Sequence, residues 1–313
     1  MSRFPFGIPN SWYLLAYSDE VPPGEVVPLA YLGREMVAFR GESGEVSVLD
    51  AYCPHLGAHL AFGGRVEGGT LRCPFHGWRF DATGTCVEIP YATRIPPLAV
   101  VKPYTCVERN GMIFVWYHSR GEAPTFEIPD IAEWHDDEYI RPWARSDWKI
   151  KSHPQDMAEN GIDWPHFATV HLMRMPNHLS CDFREHTYTW SIGATKDVST
   201  LEATQDTLVM EGENWGLGYS FLRQRGNVRT VVAVGLTPID GETVHIRMGV
   251  IGARNGLDEE AAREALRGYI AEHSVVATQD FDIWENKIYP TNPVLCDGDG
   301  PIADYRKWAA QFY

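Results

Sequence analysis

Residues 50–87 read DAYCPHLGAHLAFGGRVEGGTLRCPFHGWRFDATGTCV, and two cysteine–histidine pairs within them decide the fold of the first part of the chain. The first pair is Cys53 and His55, and the second is Cys73 and His76. Glycine and proline flank both pairs, which is typical of loops, so two adjacent hairpin loops are expected to bring four metal-ligating side chains together. Tetrahedral zinc is one interpretation of such a set.

The order of the ligands favours an iron–sulfur cluster over zinc. A structural zinc module usually pairs cysteine with cysteine, whereas each loop here carries one cysteine and one histidine. That distribution suits a two-iron cluster in which the cysteines bind one iron and the histidines the other, the Rieske arrangement. Residues 50–87 resemble the Rieske domain of ring-hydroxylating and steroid oxygenases. The resemblance implies that Cys53, His55, Cys73 and His76 hold a [2Fe-2S] cluster.

The strand and helix patterns predict two domains of different composition. Short apolar or alternating runs separated by turn residues predict strands at 26–32, 36–40, 46–49, 100–107 and 112–117. Residues 121–138, rich in proline, glycine and acids, predict a linker. Later patterns predict helices at 154–167 and from about 258 to 288, with strands at 188–192, 207–211, 230–236 and 243–251.

A second group of ligand-type side chains lies in residues 156–171, DMAENGIDWPHFATVH. On a helix, Asp156, Asn160 and Asp163 form one polar stripe that His166 continues. An ideal helix would separate His166 and His171 by about 140°, so both reach one metal only if the helix ends or bulges between them. Two histidines and one carboxylate form the facial triad of non-haem Fe(II) oxygenases.

The spacing of these residues matches the catalytic segment of Rieske oxygenases. The resemblance implies that His166 and His171 bind a mononuclear Fe(II) and that Asp163 is not a ligand. Instead, Asp163 is expected to join His166 to His76 of a neighbouring subunit, which fixes the imidazole and shortens the electron path. Asn160 is expected to support the site from outside the ligand set.

The third iron ligand is expected far along the chain, where residues 277–287 offer three carboxylates: Asp280, Asp282 and Glu285. Asp280 stands in the Asp-x-x-Ile-Trp context that carries the iron carboxylate in the steroid-oxygenase branch. Helical periodicity agrees, because Asp280 shares a face with His273 while Asp282 points away. The prediction is therefore Asp280.

Both ends of the chain resemble sterol-processing enzymes. Residues 282–313 resemble 3-ketosteroid 9α-hydroxylase oxygenase components, and residues 53–66 and 87–92 resemble cholesterol 7-desaturases. The resemblance implies an α+β chain with an N-terminal all-β Rieske domain (1–120). It also implies a helix-grip-like catalytic domain (121–313) with an antiparallel sheet and helices. The implied enzyme is the homotrimeric terminal oxygenase of a multicomponent system that uses O2 to hydroxylate, desaturate or oxidatively demethylate a steroid or sterol.

Electrons from NAD(P)H are expected to arrive through a ferredoxin, a flavin reductase or both, because no G-x-G-x-x-G segment lies between a strand and a helix. Two alternatives remain. One is a Rieske oxygenase or demethylase acting on a smaller aromatic or alkaloid substrate. The other is a Rieske electron carrier with no chemistry of its own, which would have no use for the second group of ligands.

Composition limits the partners and the compartment. The formal charge of −15, from 27 Lys+Arg and 42 Asp+Glu, argues against nucleic-acid binding and for an apolar substrate pocket. Six unevenly spaced cysteines do not form a disulfide scaffold. No signal peptide and no run of roughly 18 apolar residues is found. The expected location is the cytoplasm.

Overall fold

The computed structural model describes residues 3–172, 178–193, 209–225 and 229–313. The chain divides into two compact units. The N-terminal unit is Tyr13–Tyr117, and the C-terminal unit combines His118–Tyr313 with the residues up to Trp12.

The first residues belong with the C-terminal unit, although the sequence groups them with the Rieske domain in residues 1–120. Hydrogen bonds explain this difference. The Asn10 backbone N–H donates to the Phe312 carbonyl at 2.7 Å. The Trp12 indole N–H donates to the Phe126 carbonyl, also at 2.7 Å. These bonds anchor the N-terminal segment beside residues more than a hundred positions later.

The N-terminal unit is built from short strands, as the turn-rich sequence predicts. In the described chain they are β1 (Ser11–Tyr17), β2 (Val26–Tyr31), β3 (Arg34–Arg40), β4 (Val46–Asp50), β5 (Arg65–Glu67), β6 (Thr70–Arg72), β7 (Arg79–Phe80), β8 (Cys86–Glu88), β9 (Pro103–Tyr104), β10 (Cys106–Arg109) and β11 (Met112–Tyr117). Their sheets have the orders β1-β11-β10, β2-β3-β4-β9 and β5-β6-β7-β8. The single strand predicted at 100–107 is divided between β9 and β10. The β5–β8 strands are too short to produce a readable alternation.

The sheets of the N-terminal unit place both cysteine–histidine loops beside its core. Strand β4 ends at Asp50, just before the first loop, and β6 ends at Arg72, immediately before the second. The side chains of Cys53 and Cys73 are buried in the same apolar cluster as Leu49. The two loops therefore start from fixed, buried positions.

The C-terminal unit is a large antiparallel sheet with helices. Its strands are β12 (Ala144–Ile150), β13 (His178–Arg184), β14 (Thr187–Gly193), β15 (Val209–Trp215), β16 (Tyr219–Arg225), β17 (Thr230–Pro238) and β18 (Val244–Gly252). They pair in the order β12-β18-β17-β16-β15-β14-β13. The helices are α1 (Pro154–Ala158), α2 (Trp164–Thr169), α3 (Glu259–Thr278), α4 (Phe281–Asn286) and α5 (Ile302–Ala309). The predicted α+β class is confirmed. The first two residues of the strand predicted at 207–211 lie outside the described residues.

Helix α3 packs one apolar stripe against the sheet. Ala262, Leu266 and Ile270 recur at helical spacing and share a buried cluster with Val232 and Val250 of the sheet. The helix begins where the sequence predicts, because the Asp258 carboxylate accepts the Ala261 N–H at 2.9 Å and satisfies an unpaired first-turn donor.

Two helices predicted as continuous are interrupted. Residues 154–167 form α1, a 3-10 turn over Glu159–Ile162, and then α2. Pro165 has no N–H to donate back along the chain, so the helix cannot run unbroken through this segment. The helix predicted from 258 to 288 ends at Thr278 and resumes as α4, with Asp280 at the junction. Both interruptions lie beside predicted iron ligands.

The last residues of the chain hold the first interruption in place. The Arg306 guanidinium binds both carboxylate oxygens of Glu159 at 2.7 and 2.8 Å. A side chain at Gly300 would place its Cβ 1.8 Å from the Ile162 carbonyl oxygen, so only glycine fits there.

Trp308 is a core residue with 8% exposure. Among the described residues, no helix combines the length and apolarity needed to cross a membrane.

Candidate metal centres

The two cysteine–histidine loops have the same backbone geometry. In the first, the Gly57 N–H donates to the Cys53 carbonyl at 3.0 Å, and in the second the Gly77 N–H donates to the Cys73 carbonyl at 3.1 Å. Both glycines adopt positive φ angles, 73° and 74°, which side-chain-bearing residues rarely adopt. Each loop is therefore a tight turn that starts at its cysteine.

The Cys53 and Cys73 side chains lie together in the core, each 2% exposed. Burial raises the pKa of Cys53, and the adjacent Cys73 raises it further. Two neighbouring thiolates are unfavourable in such a place unless a cation compensates their charge. The pair therefore fits a metal centre.

The two histidines of the loops lie next to each other. The ring centroids of His55 and His76 are 4.6 Å apart, and the His55 ring stacks on Trp78 at 4.6 Å with a 12° angle. The His55 Nδ1 atom is buried and has no hydrogen-bond partner in the part of the chain that the structure describes. Two thiols, two imidazoles and an unpaired ring nitrogen fit a Rieske cluster better than an ordinary core.

A second ligand group forms in the C-terminal unit. One ligand atom each from His166, His171 and Asp280 lies within 4.8 Å of the others. The His166 and His171 ring centroids are 5.0 Å apart, and His171 Nε2 is 3.4 Å from Asp280 Oδ2. Helix α2 ends at Thr169, between the two histidines, so both rings reach one point despite their spacing.

Hydrogen bonds give both histidines the same tautomer. The Nδ1–H of His166 donates to the Asp163 main-chain carbonyl, and that of His171 donates to Gln279 Oε1 at 2.8 Å. Each Nε2 atom is left as a lone-pair donor, the state that binds a metal. The buried His166 Nε2 has no partner among the described residues. These observations fit a bound metal ion.

The three predicted carboxylates differ in their surroundings. Asp280 is 5% exposed and belongs to the ligand group. Asp282 is exposed to solvent, and Glu285 accepts the Lys151 backbone N–H at 3.1 Å. Geometry and burial thus both favour Asp280 as the metal-binding carboxylate.

Asn160 and Asp163 lie beside the ligand group. The Asn160 amide donates to Asp280 Oδ2 at 3.0 Å, which orients that carboxylate. Asp163 is half-buried, and burial raises the pKa of its carboxyl, an effect that the neighbouring His166 only partly offsets. Its carboxylate has no hydrogen bond to any described residue. The continuous stripe expected with Asp156 does not form, because Asp156 is buried in an ion pair with Lys287 at 2.8 Å.

The ligand group opens onto a cavity of about 430 Å³ within the C-terminal unit. His171 and Asp280 form part of its wall, and the rest is mostly apolar. Its apolar lining includes Trp148, Met157, Phe167, Trp190, Met210, Leu222, Val234, Leu236, Ile246, Met248, Val276, Phe281 and Trp284. Such a cavity suits a hydrophobic ligand that meets the metal site at one place.

Comparison with known proteins identifies this arrangement. Residues 115–313 match the 3-ketosteroid 9alpha-hydroxylase C-terminal domain, and residues 11–104 match the Rieske [2Fe-2S] domain. The chain belongs to the Rieske oxygenase family. It is therefore an oxidoreductase, and the resemblance noted from the sequence is confirmed. The cofactors of this Rieske oxygenase are a Rieske [2Fe-2S] cluster and a mononuclear non-haem iron, with O2 as oxidant.

Relatives of this Rieske oxygenase include sterol and steroid enzymes. Cholesterol 7-desaturase nvd 1 of Ciona intestinalis is 33% identical, over 97% of this chain and 68% of its own length. A 3-ketosteroid-9-alpha-monooxygenase oxygenase component of Rhodococcus rhodochrous is 30% identical, over 97% and 81%.

Solved structures share the fold at lower identity. Dicamba monooxygenase bound to dicamba aligns with a TM-score of 0.77 at 20% identity, over 97% of this chain and 96% of its own. NdmA of Pseudomonas putida CBB5 with caffeine has the same score and identity, over 96% and 89%.

Gln279 is a residue of the Rieske oxygenase site that the sequence analysis did not single out. Its position next to Asp280 was the available signal. We expect Gln279→Leu to weaken mononuclear iron binding by about 10- to 100-fold, because His171 loses the partner that holds its tautomer. Competition with a chelator measures this affinity. Gln279→Glu keeps an acceptor oxygen and should bind iron nearly normally, whereas equal loss in both variants would contradict the tautomer role.

Proposed function

We propose that this Rieske oxygenase is the terminal component of a multicomponent system that oxidises a steroid or sterol at an unactivated C–H bond. One observation carries the proposal: His171 and Asp280, which form a ligand group with His166, are part of the wall of a largely apolar cavity of about 430 Å³. The sterol and steroid enzymes among the relatives support the substrate class.

Each metal centre is assigned to the residues that fit it. Cys53, His55, Cys73 and His76 are proposed to hold the Rieske cluster. His166, His171 and Asp280 are proposed to hold the mononuclear iron. When bound, that iron supplies the activation of O2 that hydrogen abstraction from a C–H bond requires.

The residues around the iron ligands orient them and keep the site dry. Asn160 directs the Asp280 carboxylate, and Gln279 and the Asp163 carbonyl direct the two imidazoles. Aromatic and aliphatic walls exclude water from the reacting bond, which suppresses side reactions. An uncharged wall also gives a polycyclic hydrocarbon its binding energy through burial of apolar surface.

Electron delivery is proposed to run through a ferredoxin, a flavin reductase or both, and then between subunits of a homotrimer. In this proposal Asp163 bridges His166 to His76 of a neighbouring copy. The carboxylate of Asp163 is half-buried without a hydrogen bond to the described residues, so it is available for such a bridge. The tips of both cluster loops are apolar and exposed, with Leu56 at 64% and Phe75 at 60%, as expected of surfaces that another subunit covers.

Mass spectrometry tests the proposal directly. The iron-loaded enzyme is incubated with a generic reductase, NAD(P)H, O2 and a panel of sterols, ketosteroids and methoxy-aromatics. The expected result is a steroid or sterol that gains an oxygen, loses two hydrogens or loses a methyl group. Turnover of methoxy-aromatics alone would contradict the substrate class. An iron content of about two per chain, with no turnover, would indicate an electron carrier, because an oxygenase holds about three.

A further inference from the structure

One polar pair stands in the sheet wall of the apolar cavity. Asn214 on β15 and Ser220 on β16 are directly opposite each other in the antiparallel ladder, and both line the cavity. Directly opposed residues project to the same face of a sheet with their Cβ atoms about 5 Å apart. Their polar atoms can therefore meet one ligand atom.

The Asn214 amide is buried without a protein partner. The residue is 7% exposed, and its side chain makes no hydrogen bond with the residues that the structure describes. The Ser220 hydroxyl, half-buried, likewise has none in that set. A polar side chain that lines an apolar cavity and has no protein partner is available to form a hydrogen bond with a ligand there.

Four other polar residues of the cavity are already engaged or belong to the metal site. Asn160, His171 and Asp280 contact one another at the iron end. The Tyr188 hydroxyl, in the same ladder row as Asn214, donates to the Ala158 carbonyl.

The remaining residues around the pair are His273 and the side chains that follow Ser220 across the sheet. His273 also lines the cavity, where its ring lies against Tyr269 at 4.2 Å and burial lowers its pKa. Ser220 is paired with Val234 on β17, and Val234 is paired with Met248 on β18. Both of these apolar side chains line the cavity. Along this row of the sheet, Asn214 and Ser220 are thus followed by apolar side chains and offer adjacent hydrogen-bonding groups to a ligand.

We propose that Asn214 and Ser220 bind one oxygen atom, a ketone or a hydroxyl, of an otherwise apolar polycyclic substrate. The amide N–H and the serine O–H donate to a ketone, and the amide oxygen accepts from a hydroxyl. Fixing this oxygen selects which carbon faces the iron, so the pair determines the position of oxidation. The inference rests on the proposed steroid function and specifies which feature of the steroid is recognised.

Binding of matched ligands tests the pair. Dissociation constants are measured by equilibrium dialysis on the iron-loaded enzyme for a steroid with a ketone at each end and for its two monoketone analogues. An aromatic ketone and its deoxy analogue form a second, smaller set. In the wild type, removing the recognised ketone should weaken binding about tenfold, the size of one buried hydrogen bond. Removing the other steroid ketone should have little effect.

Three variants separate recognition from packing. In Asn214→Leu, removing the recognised ketone should no longer change the dissociation constant, so the tenfold discrimination is lost. In Ser220→Ala the discrimination should lie between that of Asn214→Leu and that of the wild type. Leu222→Ala, on the same strand and also in the cavity wall, enlarges the pocket without touching the pair. It should weaken all ligands together and leave the discrimination intact. With a reductase present, Asn214→Leu should also yield several oxidation positions where the wild type yields one.

The outcomes distinguish this inference from the proposed function. Discrimination that survives in Asn214→Leu, or that is absent in the wild type, overturns the inference while leaving a steroid oxygenase in place. Binding of the aromatic set alone overturns the steroid assignment, and the inference is then judged on that set. If neither set binds, both proposals are wrong.

Discussion

Asp280→Ala is expected to lose the mononuclear iron and to reduce product formation by about 100-fold or more, while the visible spectrum of the Rieske cluster stays unchanged. The physical reason is that Asp280 supplies the negative charge of the ligand group and lies 3.4 Å from His171 Nε2. Iron analysis should fall from about three to about two irons per chain. Because the cluster ligands lie in the other unit, their spectrum reports that the N-terminal unit is still folded.

Asp282→Ala is the matched control for this prediction. Asp282 is two residues further on, is exposed and lies outside the ligand group. The variant should keep its iron and its activity. Loss of iron in Asp282→Ala with retention in Asp280→Ala would reverse the ligand assignment.

Asp163→Asn is expected to slow product formation by about 100-fold with both metal sites loaded. The substitution removes the charge that the proposed bridge to the neighbouring subunit requires, while the main-chain carbonyl that holds His166 remains. A single-turnover experiment with pre-reduced enzyme measures the step directly, because it follows reoxidation of the cluster in the presence of substrate and O2.

Asp282→Asn makes the same chemical change at an exposed position and should react at the wild-type rate. Iron content and the mass of the assembly in solution are measured for both variants. Full activity in Asp163→Asn would remove the bridging role, and loss of iron would assign Asp163 to the mononuclear site instead.

Much of the fold was predictable because its signals are local. The cysteine–histidine spacing indicates the cluster domain, and β-branched runs such as 230–236 become strands where predicted. Asp280 was favoured over Asp282 by its Asp-x-x-Ile-Trp context and by helical periodicity, although the helix is interrupted between Thr278 and Phe281. These patterns depend on residues within one or two turns of each other.

The remaining features depend on contacts between distant residues. Gln279 and His171 are 108 positions apart, and the sequence contains no sign that they bond. The interruption at Asp163 also depends on tertiary packing, since Arg306 and Gly300 hold the turn from the end of the chain. The isolated Asn214 becomes noticeable only when the strand register puts it on an apolar wall.

The distance in sequence between the iron ligands has a consequence for the folding stability of the protein. An ion bound to His166, His171 and Asp280 acts as a cross-link that closes a loop of over a hundred residues, because it ties the end of α2 to the start of α4. Ligation then contributes to folding stability in proportion to the logarithm of free iron concentration. The concentration of free iron would thus affect the folding stability of the enzyme as well as its activity.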